Sequence, residues 1–406
     1  MPTTRKLDNW IDTWMQYTGH VISPTLYHKW VAVSVLAAAL ERKVFLKWKW
    51  PGSIFCNFYI VLVGPPGRCK KGVALSSASS ILRDLGVHLS ANATSEPALI
   101  ADMMEATQTY TESGGKIYSY SAITVLLSEL TSFFRQGNPD IITYMCDWYD
   151  CLDDWTYDTK GRGKERIDNL WVNLLGATTP DNLIATKGQE VISQGLASRT
   201  IFVYEERSRN VTETLQYNPK TQLFETQEKD QLYELLLHDL ANISLLKGQF
   251  RFEESFLKAY DQIYPPNYED LFSHEDKRMV TYRSRRAAHH LKLSMIMSAS
   301  KSNSMLLTVQ DFKDALALLE ATEPKMHLTF SGLGRSDLAL LMQDIMTFIA
   351  LKGETTMQEI VAKHYYDGTE KEIRDVVSTL IIMDYCDKID TGDYSYKIVY
   401  RKENKE

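Results

Sequence analysis

The chain has 406 residues, enough for two or three domains, and 44% of them are hydrophobic, so it can bury substantial cores. Lysine and arginine number 45 against 52 acidic residues, and the net charge of −7 excludes coating of nucleic acid by bulk charge. The five cysteines show no CxxC spacing, which argues against zinc and a disulfide framework and favours a reducing compartment. With no signal-peptide pattern and no apolar run long enough for a bilayer, we expect a cytoplasmic protein without membrane contact.

Residues 1–50 show helical spacing of their aromatic and aliphatic side chains. The pattern then changes to a nearly continuous apolar run over 55–63, which predicts a strand buried on both faces of a parallel sheet. A glycine–proline turn follows, and a helix is predicted from about 71 to 85. Further strands are predicted at 87–90, 123–127, 170–177 and 199–204, with a helix at 96–106. This alternation predicts an α/β domain over 51–206.

Helical patterns dominate 207–330, with helices predicted at 229–240, 253–263, 283–300 and 309–326, which indicates a helical lid after the core. Residues 330–335 resemble a linker. Residues 336–402 predict three helices (337–351, 356–365 and 369–383) and then strands at 385–389 and 394–400, an order typical of a winged-helix domain. The third helix begins with a capping box, and its acidic residues offset its basic ones, so protein contact is as well supported as DNA contact.

The turn after the first buried strand is close to the phosphate-binding pattern G-x-x-x-x-G-K-[ST]. Such a loop curls backbone N–H groups around phosphates, and the following helix adds its positive N-terminal end. Lys70 is the candidate lysine, Cys69 replaces the second glycine, and Lys71 replaces the hydroxyl residue that would ligate Mg²⁺, so hydrolysis stays open. The alternative is an ordinary strand–turn–helix with exposed basic residues. The predicted nucleotide-binding residues of the loop are Gly64, Pro65, Pro66, Gly67, Arg68, Cys69, Lys70 and Lys71.

Acidic and polar residues at other strand ends supply the remaining candidates. Glu129 ends a strand and would act as catalytic base and Mg²⁺ organiser, with a serine where a second acid usually stands. Thr178 ends the next strand and would sense the γ-phosphate. Arg199 could reach a neighbouring subunit's nucleotide, and Arg283 and Arg286 could touch the γ-phosphate in cis. Each has a structural alternative. Glu129 could cap a strand, Thr178 could stabilise a turn through its hydroxyl, Arg199 could form a surface ion pair, and Arg283 and Arg286 could lie on a solvated helix face.

Residues 154–167 predict a β-hairpin with a basic tip. Glycines at 161 and 163 allow the turn, and Lys160, Arg162 and Lys164 suit contact with a phosphate backbone. The alternative is a solvated surface turn.

With these motifs in place, the chain resembles a family of phage- and plasmid-borne P-loop ATPases of replicative helicase type, with features of superfamily 3 and MCM-type helicases. The matching stretches are 57–67, 93–99, 127–130 and 197–199, within roughly residues 30–300. The resemblance implies an AAA+ or RecA-like core, a hexameric ring, ATP and Mg²⁺ as cofactors, and mobile-element replication in a bacterial host cell. It also implies that the hairpin enters a central channel and grips DNA. The family usually ends its loop in Lys-Ser, and Lys71 departs from that.

We therefore expect an ATP-dependent DNA translocase or helicase, a ring-shaped homo-oligomer acting on single-stranded or forked DNA. ATP would lie between subunits, with Lys70 and Glu129 from one and Arg199 from the next. The alternative is an ATP-switched DNA-binding accessory factor, such as a helicase loader, initiator or recombination factor, with weak or no hydrolysis. Lys71 and Ser128 favour this alternative, and the hairpin tip favours the motor. The winged-helix domain would add contacts to replication proteins. A nucleotide-free structural relic is a third possibility.

Overall fold

The computed structural model describes residues 4–49, 52–90, 95–111, 114–130, 133–134, 140–159, 163–183, 185, 195–209, 217–218, 223–224, 227–268, 271, 277–330, 337–392 and 395–401. The chain divides into two compact units, Met1–Phe330 and Ser331–Glu406. Residues 331–335 of the predicted linker lie outside the described part of the chain. The three regions predicted before residue 330 lie within one unit.

The first unit is a mixed α/β structure. Its described helices are α1 Trp10–Tyr17, α2 Thr25–Leu40, α3 Lys71–Leu85, α4 Glu96–Glu105, α5 Ile141–Tyr149, α6 Leu196–Arg199, α7 Gln227–Ile243, α8 Glu254–Ile263, α9 Lys277–Lys301 and α10 Val309–Met326. Its described strands are β1 Val44–Lys47, β2 Ser53–Phe55, β3 Tyr59–Val63, β4 Thr107–Thr111, β5 Ile117–Leu127, β6 Asp154–Thr159, β7 Gly163–Asp168, β8 Leu170–Thr178, β9 Thr200–Tyr204, β10 Tyr217–Asn218, β11 Leu223–Phe224, β12 Gly248–Phe252 and β13 Leu306–Leu307.

The central sheet has five strands in the order β4-β5-β8-β3-β9. All neighbours are parallel except β4, which pairs with the first half of β5 in antiparallel fashion. Every residue of β3 and β8 is buried, as their uninterrupted apolar sequences predict. The predicted strand at 87–90 is a single parallel bridge from Leu89 to Thr124. Val63 pairs with Thr178 on one side and Tyr204 on the other, so the ends of three strands meet at one edge.

A second sheet, in the order β13-β12-β1-β2, joins parts of the chain that the sequence patterns treat as helical. Strand β1 pairs in parallel with β12, and β12 pairs in parallel with β13. The prediction of helical spacing at 1–50 and of a mostly helical region at 207–330 did not include these strands. These strands have two to five residues, too short for a clear periodicity, and β1, β12 and β13 pair with partners distant in the sequence.

Helix α2 explains the longest apolar run of the sequence. All its residues from Trp30 to Leu40 are buried, because the helix packs against α3, α7, α9 and β8. A helix that is apolar on all faces belongs in the core of a domain when it is too short for a bilayer. Among the described residues, the chain has no helix with the length and apolarity needed to cross a membrane.

The described residues of the second unit form three helices and a three-stranded antiparallel sheet. Helix α11 packs against α12 and α13, and the predicted capping box at the start of α13 is present, with Thr369 and Glu372 each accepting the other's backbone N–H. The short strand β14, which pairs with β16, is an addition to the prediction. The elements in chain order are α11 Asp337–Lys352, β14 Glu354–Thr356, α12 Met357–His364, α13 Glu370–Ile382, β15 Cys386–Gly392 and β16 Ser395–Tyr400.

Candidate functional site

The loop of residues 64–70 connects β3 to α3 and is tightly folded against the end of β9. Gly64 has no room for a side chain, because a Cβ there would lie 2.3 Å from the carbonyl oxygen of Glu205. Gly67 and Lys70 have φ of 71° and 51°, in the left-handed region. Lys70 is the N-cap residue of α3 and its side chain makes no cap hydrogen bond. The first N–H groups of α3 therefore face the loop with the helix's positive end, as anion binding requires.

Lys71 is the lysine whose ammonium lies within this loop. Its Nζ donates hydrogen bonds to the carbonyl oxygens of Gly64 (2.5 Å) and Pro65 (3.4 Å). Burial lowers the pKa of Lys71, and the nearby Cys69 and Glu129 oppose that effect. Lys70 instead has an exposed side chain, and its carbonyl oxygen accepts a hydrogen bond from Ser23 Oγ at 2.9 Å. Of the two adjacent lysines, Lys71 is therefore the one whose ammonium lies against the loop, one residue after the lysine that the sequence pattern selects.

Cys69 anchors the loop where the sequence pattern has glycine. Its buried Sγ donates to the carbonyl oxygen of Glu205 at 2.9 Å, and burial raises the pKa of the thiol. Tyr27 on α2 supports the same place, since its hydroxyl donates to the carbonyl oxygen of Val63 at 2.6 Å. A side chain is accommodated at residue 69 because it packs into the protein beneath the loop.

Glu129 lies at the edge of the central sheet where β5 ends, and two polar side chains hold its carboxylate. Thr178 at the end of β8 donates from Oγ1 to Oε1 of Glu129 at 2.8 Å. Asn182 donates from Nδ2 to Oε2 at 3.2 Å, and its own backbone N–H is bound by Thr179 Oγ1 at 3.2 Å. The structure therefore brings the predicted pair Glu129 and Thr178 together. Sequence reasoning missed Asn182, although it belongs to the polar run that follows the strand.

Arg199 ends α6 and has a carboxylate partner in its own chain. Its guanidinium binds both carboxylate oxygens of Asp150, at 3.1 and 2.5 Å, and also the carbonyl oxygen of Gly195 at 3.1 Å. Arg285 shares the same carboxylate at 3.3 Å. Burial lowers the pKa of Arg199, but pairing with Asp150 outweighs it and the net shift is upward. The ion pair is present in the single chain, and a role toward a neighbouring subunit stays a prediction.

Arg283 and Arg286 on α9 both bind Glu323 on α10. Arg286 is nearly fully buried and makes two bonds to this carboxylate, at 2.5 and 3.1 Å, and one to the Tyr264 hydroxyl at 3.1 Å. Arg283 adds a bond of 3.1 Å. Burial of Glu323 favours its neutral form, but the arginine contacts dominate and lower its pKa. These arginines tie two helices together, and their predicted contact with a γ-phosphate stays a prediction.

The predicted hairpin is present, with β6 paired to β7 from Asp154–Asp168 at the base to Thr159–Gly163 near the tip. Its base packs on α5, where Trp155 lies 5.7 Å from Trp148 between ring centroids. Tyr157 donates from its hydroxyl to Glu96 on α4 at 3.2 Å. The hairpin is thus fixed at its base by aromatic packing. Of the predicted contact residues, Lys160, Arg162 and the side chain of Lys164 lie outside the described part of the chain.

Within the described residues, no group of three or more His, Cys, Asp and Glu side chains is arranged to hold a metal ion. A Mg²⁺ ion bound with a nucleotide takes its ligands mainly from phosphates and water, with only one or two protein carboxylates. Glu129 fits that smaller requirement, because it lies at the strand edge beside the loop and is close enough to Lys71 to affect its pKa.

A comparison with protein-family models and one with curated proteins both find no match to this chain.

Proposed function

We propose that this chain is an ATP-binding P-loop ATPase with an AAA+-like core, which acts on DNA as a ring-shaped translocase or helicase. The observation that supports it best is the joint placement of three groups at one sheet edge. The Lys71 ammonium lies inside the loop after β3, and Glu129 is held by Thr178 at the end of β8, the neighbour of β3. Ligands of open α/β sheets bind outside the carboxyl ends of the strands, where these groups lie.

In this proposal each group has a separate task. The N–H groups of the loop and of the first turn of α3 surround the phosphates, and Lys71 places a positive charge on the outer ones. Glu129 orients and deprotonates the attacking water, while Thr178 and Asn182 fix the direction of its carboxylate. Mg²⁺, bound with the nucleotide, would neutralise charge that develops on the phosphates.

The order of the central sheet supports this function class. One strand, β8, separates the strand before the loop from the strand that ends near Glu129. That strand order is the arrangement expected of the AAA+ and RecA-like cores that the sequence resembles.

Two further features support nucleic acid as the second partner. The hairpin is anchored at its base and carries a basic sequence, Lys160 to Lys164, at its tip. The second unit has the element order helix–strand–helix–helix–strand–strand of a winged helix, a module used for DNA and for protein contacts. Local basic segments are what an acidic protein needs to bind a phosphate backbone.

A specific observation favours the alternative, an ATP-switched accessory factor. Whichever lysine reaches the phosphates, the next residue has no hydroxyl group, since Lys71 follows Lys70 and Gly72 follows Lys71. The usual direct protein ligand of Mg²⁺ is therefore missing at the start of α3. Slow hydrolysis with intact binding is the expected result of that loss.

Steady-state ATPase measured with and without single-stranded DNA tests the proposal. We expect turnover that DNA stimulates. Neutralising Lys160, Arg162 and Lys164 together should remove the stimulation and keep the basal rate, because other residues form the nucleotide site. It should also lower the salt dependence of DNA binding by roughly 0.7–0.9 in log–log slope for each phosphate that the variant no longer neutralises. A chain that binds ATP and DNA without turnover supports the accessory factor. A triple variant with unchanged DNA affinity and salt slope removes the hairpin from the DNA site.

A further inference from the structure

A polar cavity of about 580 Å³ opens at the amino-terminal edge of the central sheet. Its walls come from the end of β4 and the start of β5, from β1 and β2, and from the base of the hairpin up to the residue before β8. Strand β5 runs from this cavity to the edge that carries Glu129, and its eleven residues at about 3.3 Å each place the two sites roughly 35 Å apart. The cavity is therefore distinct from the nucleotide site proposed above.

The walls of this cavity are basic in an acidic protein. Four basic side chains, Arg42, Lys47, Lys116 and Arg166, line it against two acidic ones. Lys47 and Lys116 are exposed, and Arg166 is paired with Asp154 and Asp168 at the rim. Because Arg42 and Arg166 are paired with acids, the two exposed lysines supply the positive charge of the opening, on a protein of net charge −7.

Aromatic rings alternate with these cations. Phe45, Phe55, Tyr110 and Tyr118 line the cavity and are half-buried, so each keeps part of its ring accessible. The Tyr110 and Tyr118 centroids lie 5.2 Å apart.

Arg42 fixes this aromatic wall from within. It is fully buried, donates to the carbonyl oxygens of Cys151 (2.6 Å) and Leu170 (2.7 Å), and pairs with Asp153. Its guanidinium lies 4.3 Å from the ring centroid of Phe55, and its Nε donates to the Tyr118 hydroxyl at 3.0 Å. The rings are thus held in place before any ligand arrives.

We infer that this cavity binds nucleotide units of single-stranded nucleic acid, with bases stacked on Tyr118 and its aromatic neighbours and phosphates held by Lys47 and Lys116. Stacking platforms with interleaved cations are the general solution for binding single strands without sequence preference. The volume suits one or two nucleotide units, as pockets of roughly 300–1,000 Å³ hold small ligands. The inference extends the proposed function, since the hairpin that forms one wall is the same element proposed to grip DNA.

The test measures binding of a fluorescent oligothymidine to the full chain without ATP. Tyr118→Leu removes the ring, and we expect binding to weaken about 5- to 150-fold, the usual value of one stacked base. Tyr118→Phe is the matched control, because it keeps the ring and loses only the bond from Arg42, and it should bind nearly as the wild type does. Thermal melting identifies any variant that fails to fold.

A second pair of variants tests the charges without touching the aromatic wall. Lys47→Gln with Lys116→Gln should lower the salt slope of binding by roughly 1.4, at about 0.7 for each single-strand phosphate. Lys258→Gln with Lys313→Gln removes the same charge from exposed positions on α8 and α10 and should leave the slope unchanged.

Unchanged affinity in Tyr118→Leu together with an unchanged slope in the lysine pair overturns the inference. The inference is also overturned if thymidine monophosphate displaces the oligonucleotide at an equal concentration, since the site then binds a free nucleotide. ATP binding is measured in parallel on all variants. If these substitutions weaken oligonucleotide binding but the wild-type chain binds no ATP, the cavity site is supported and the proposed ATPase is refuted.

Discussion

Replacing Lys71 with methionine should weaken nucleotide binding far more than the same replacement at Lys70. The two residues are adjacent and carry the same charge, but only the Lys71 ammonium contacts the loop, at 2.5 Å from the carbonyl oxygen of Gly64. Lys70 has its side chain in solvent. The sequence pattern alone selects Lys70, so the two substitutions separate the geometry from the pattern.

The magnitude follows from the position of the charge. An ammonium about 4 Å from a phosphate charge contributes ~4 kcal/mol at an effective dielectric constant of 20, or up to ~10³-fold in affinity. The loop N–H groups and water replace part of this interaction in the variant, so we expect Lys71→Met to weaken binding by about 10²- to 10³-fold. A solvated lysine contributes ~1 kcal/mol or less by the same arithmetic in water, so Lys70→Met should cost about fivefold at most.

Calorimetric titration with a non-hydrolysable ATP analogue and Mg²⁺ measures both values, and circular-dichroism melting controls for folding. Because both variants lose the same net charge, a difference between their nucleotide affinities reports the position of the lost ammonium group. Loss of binding in Lys70→Met with little change in Lys71→Met would refute the geometric assignment in favour of the sequence pattern. Unchanged affinity in both would mean that this loop holds no phosphate.

Three further predictions concern the rest of the first unit. Arg199→Ala subunits should bind nucleotide normally and hydrolyse it poorly, and mixing them with Glu129→Gln subunits should restore part of the ATPase; a mixture shown to co-assemble without rescue contradicts action in trans. In urea titrations, Gly64→Ala should lower the free energy of unfolding by about 1–3 kcal/mol, because the added Cβ overlaps a backbone oxygen. The control Gly72→Ala places its Cβ where nothing lies within 4 Å, and it should be neutral or raise the free energy of unfolding by up to about 1 kcal/mol. Burial lowers the pKa of Lys292 to about 8, so between pH 8 and 9.5 the unfolded chain keeps a proton that the folded chain releases. Over this range the wild type should therefore gain up to about 2 kcal/mol in the free energy of unfolding relative to Lys292→Met. A stability difference between the two proteins that is the same at both pH values would contradict this.

The elements nearest the candidate site could be predicted from sequence because their signals are local. The apolar run before the loop, the glycine–proline turn and the following helix lie within thirty residues, and α3 begins and ends as predicted, at Lys71 and Leu85. The capping box at Thr369 and the two adjacent strands of the C-terminal hairpin are likewise short-range. Their physical causes act between neighbours in the chain.

The features that the sequence did not reveal depend on distant partners. One of the two partners of strand β1 is β12, about two hundred residues later in the chain. The ion pair of Arg286 with Glu323 requires two packed helices, and the bond from Asn182 to Glu129 requires two strand ends at one edge. The choice between Lys70 and Lys71 depends on where α3 begins. A sequence pattern selects the lysine by counting residues from Gly64. It does not take account of the left-handed backbone at Lys70, after which α3 begins.

The most direct test of the central claim compares ATP binding and ATP hydrolysis in the wild type and in Glu129→Gln. The exchange keeps the shape of the side chain and removes the base. The amide oxygen can accept the hydrogen bond from Asn182, and the amide nitrogen can donate to the Thr178 hydroxyl, which now donates to Glu129. We expect the variant to bind ATP with nearly wild-type affinity and to hydrolyse it about 10²- to 10⁴-fold more slowly. Wild-type turnover in the variant would place the base elsewhere, and a wild-type chain that does not bind ATP at all would contradict the nucleotide site itself.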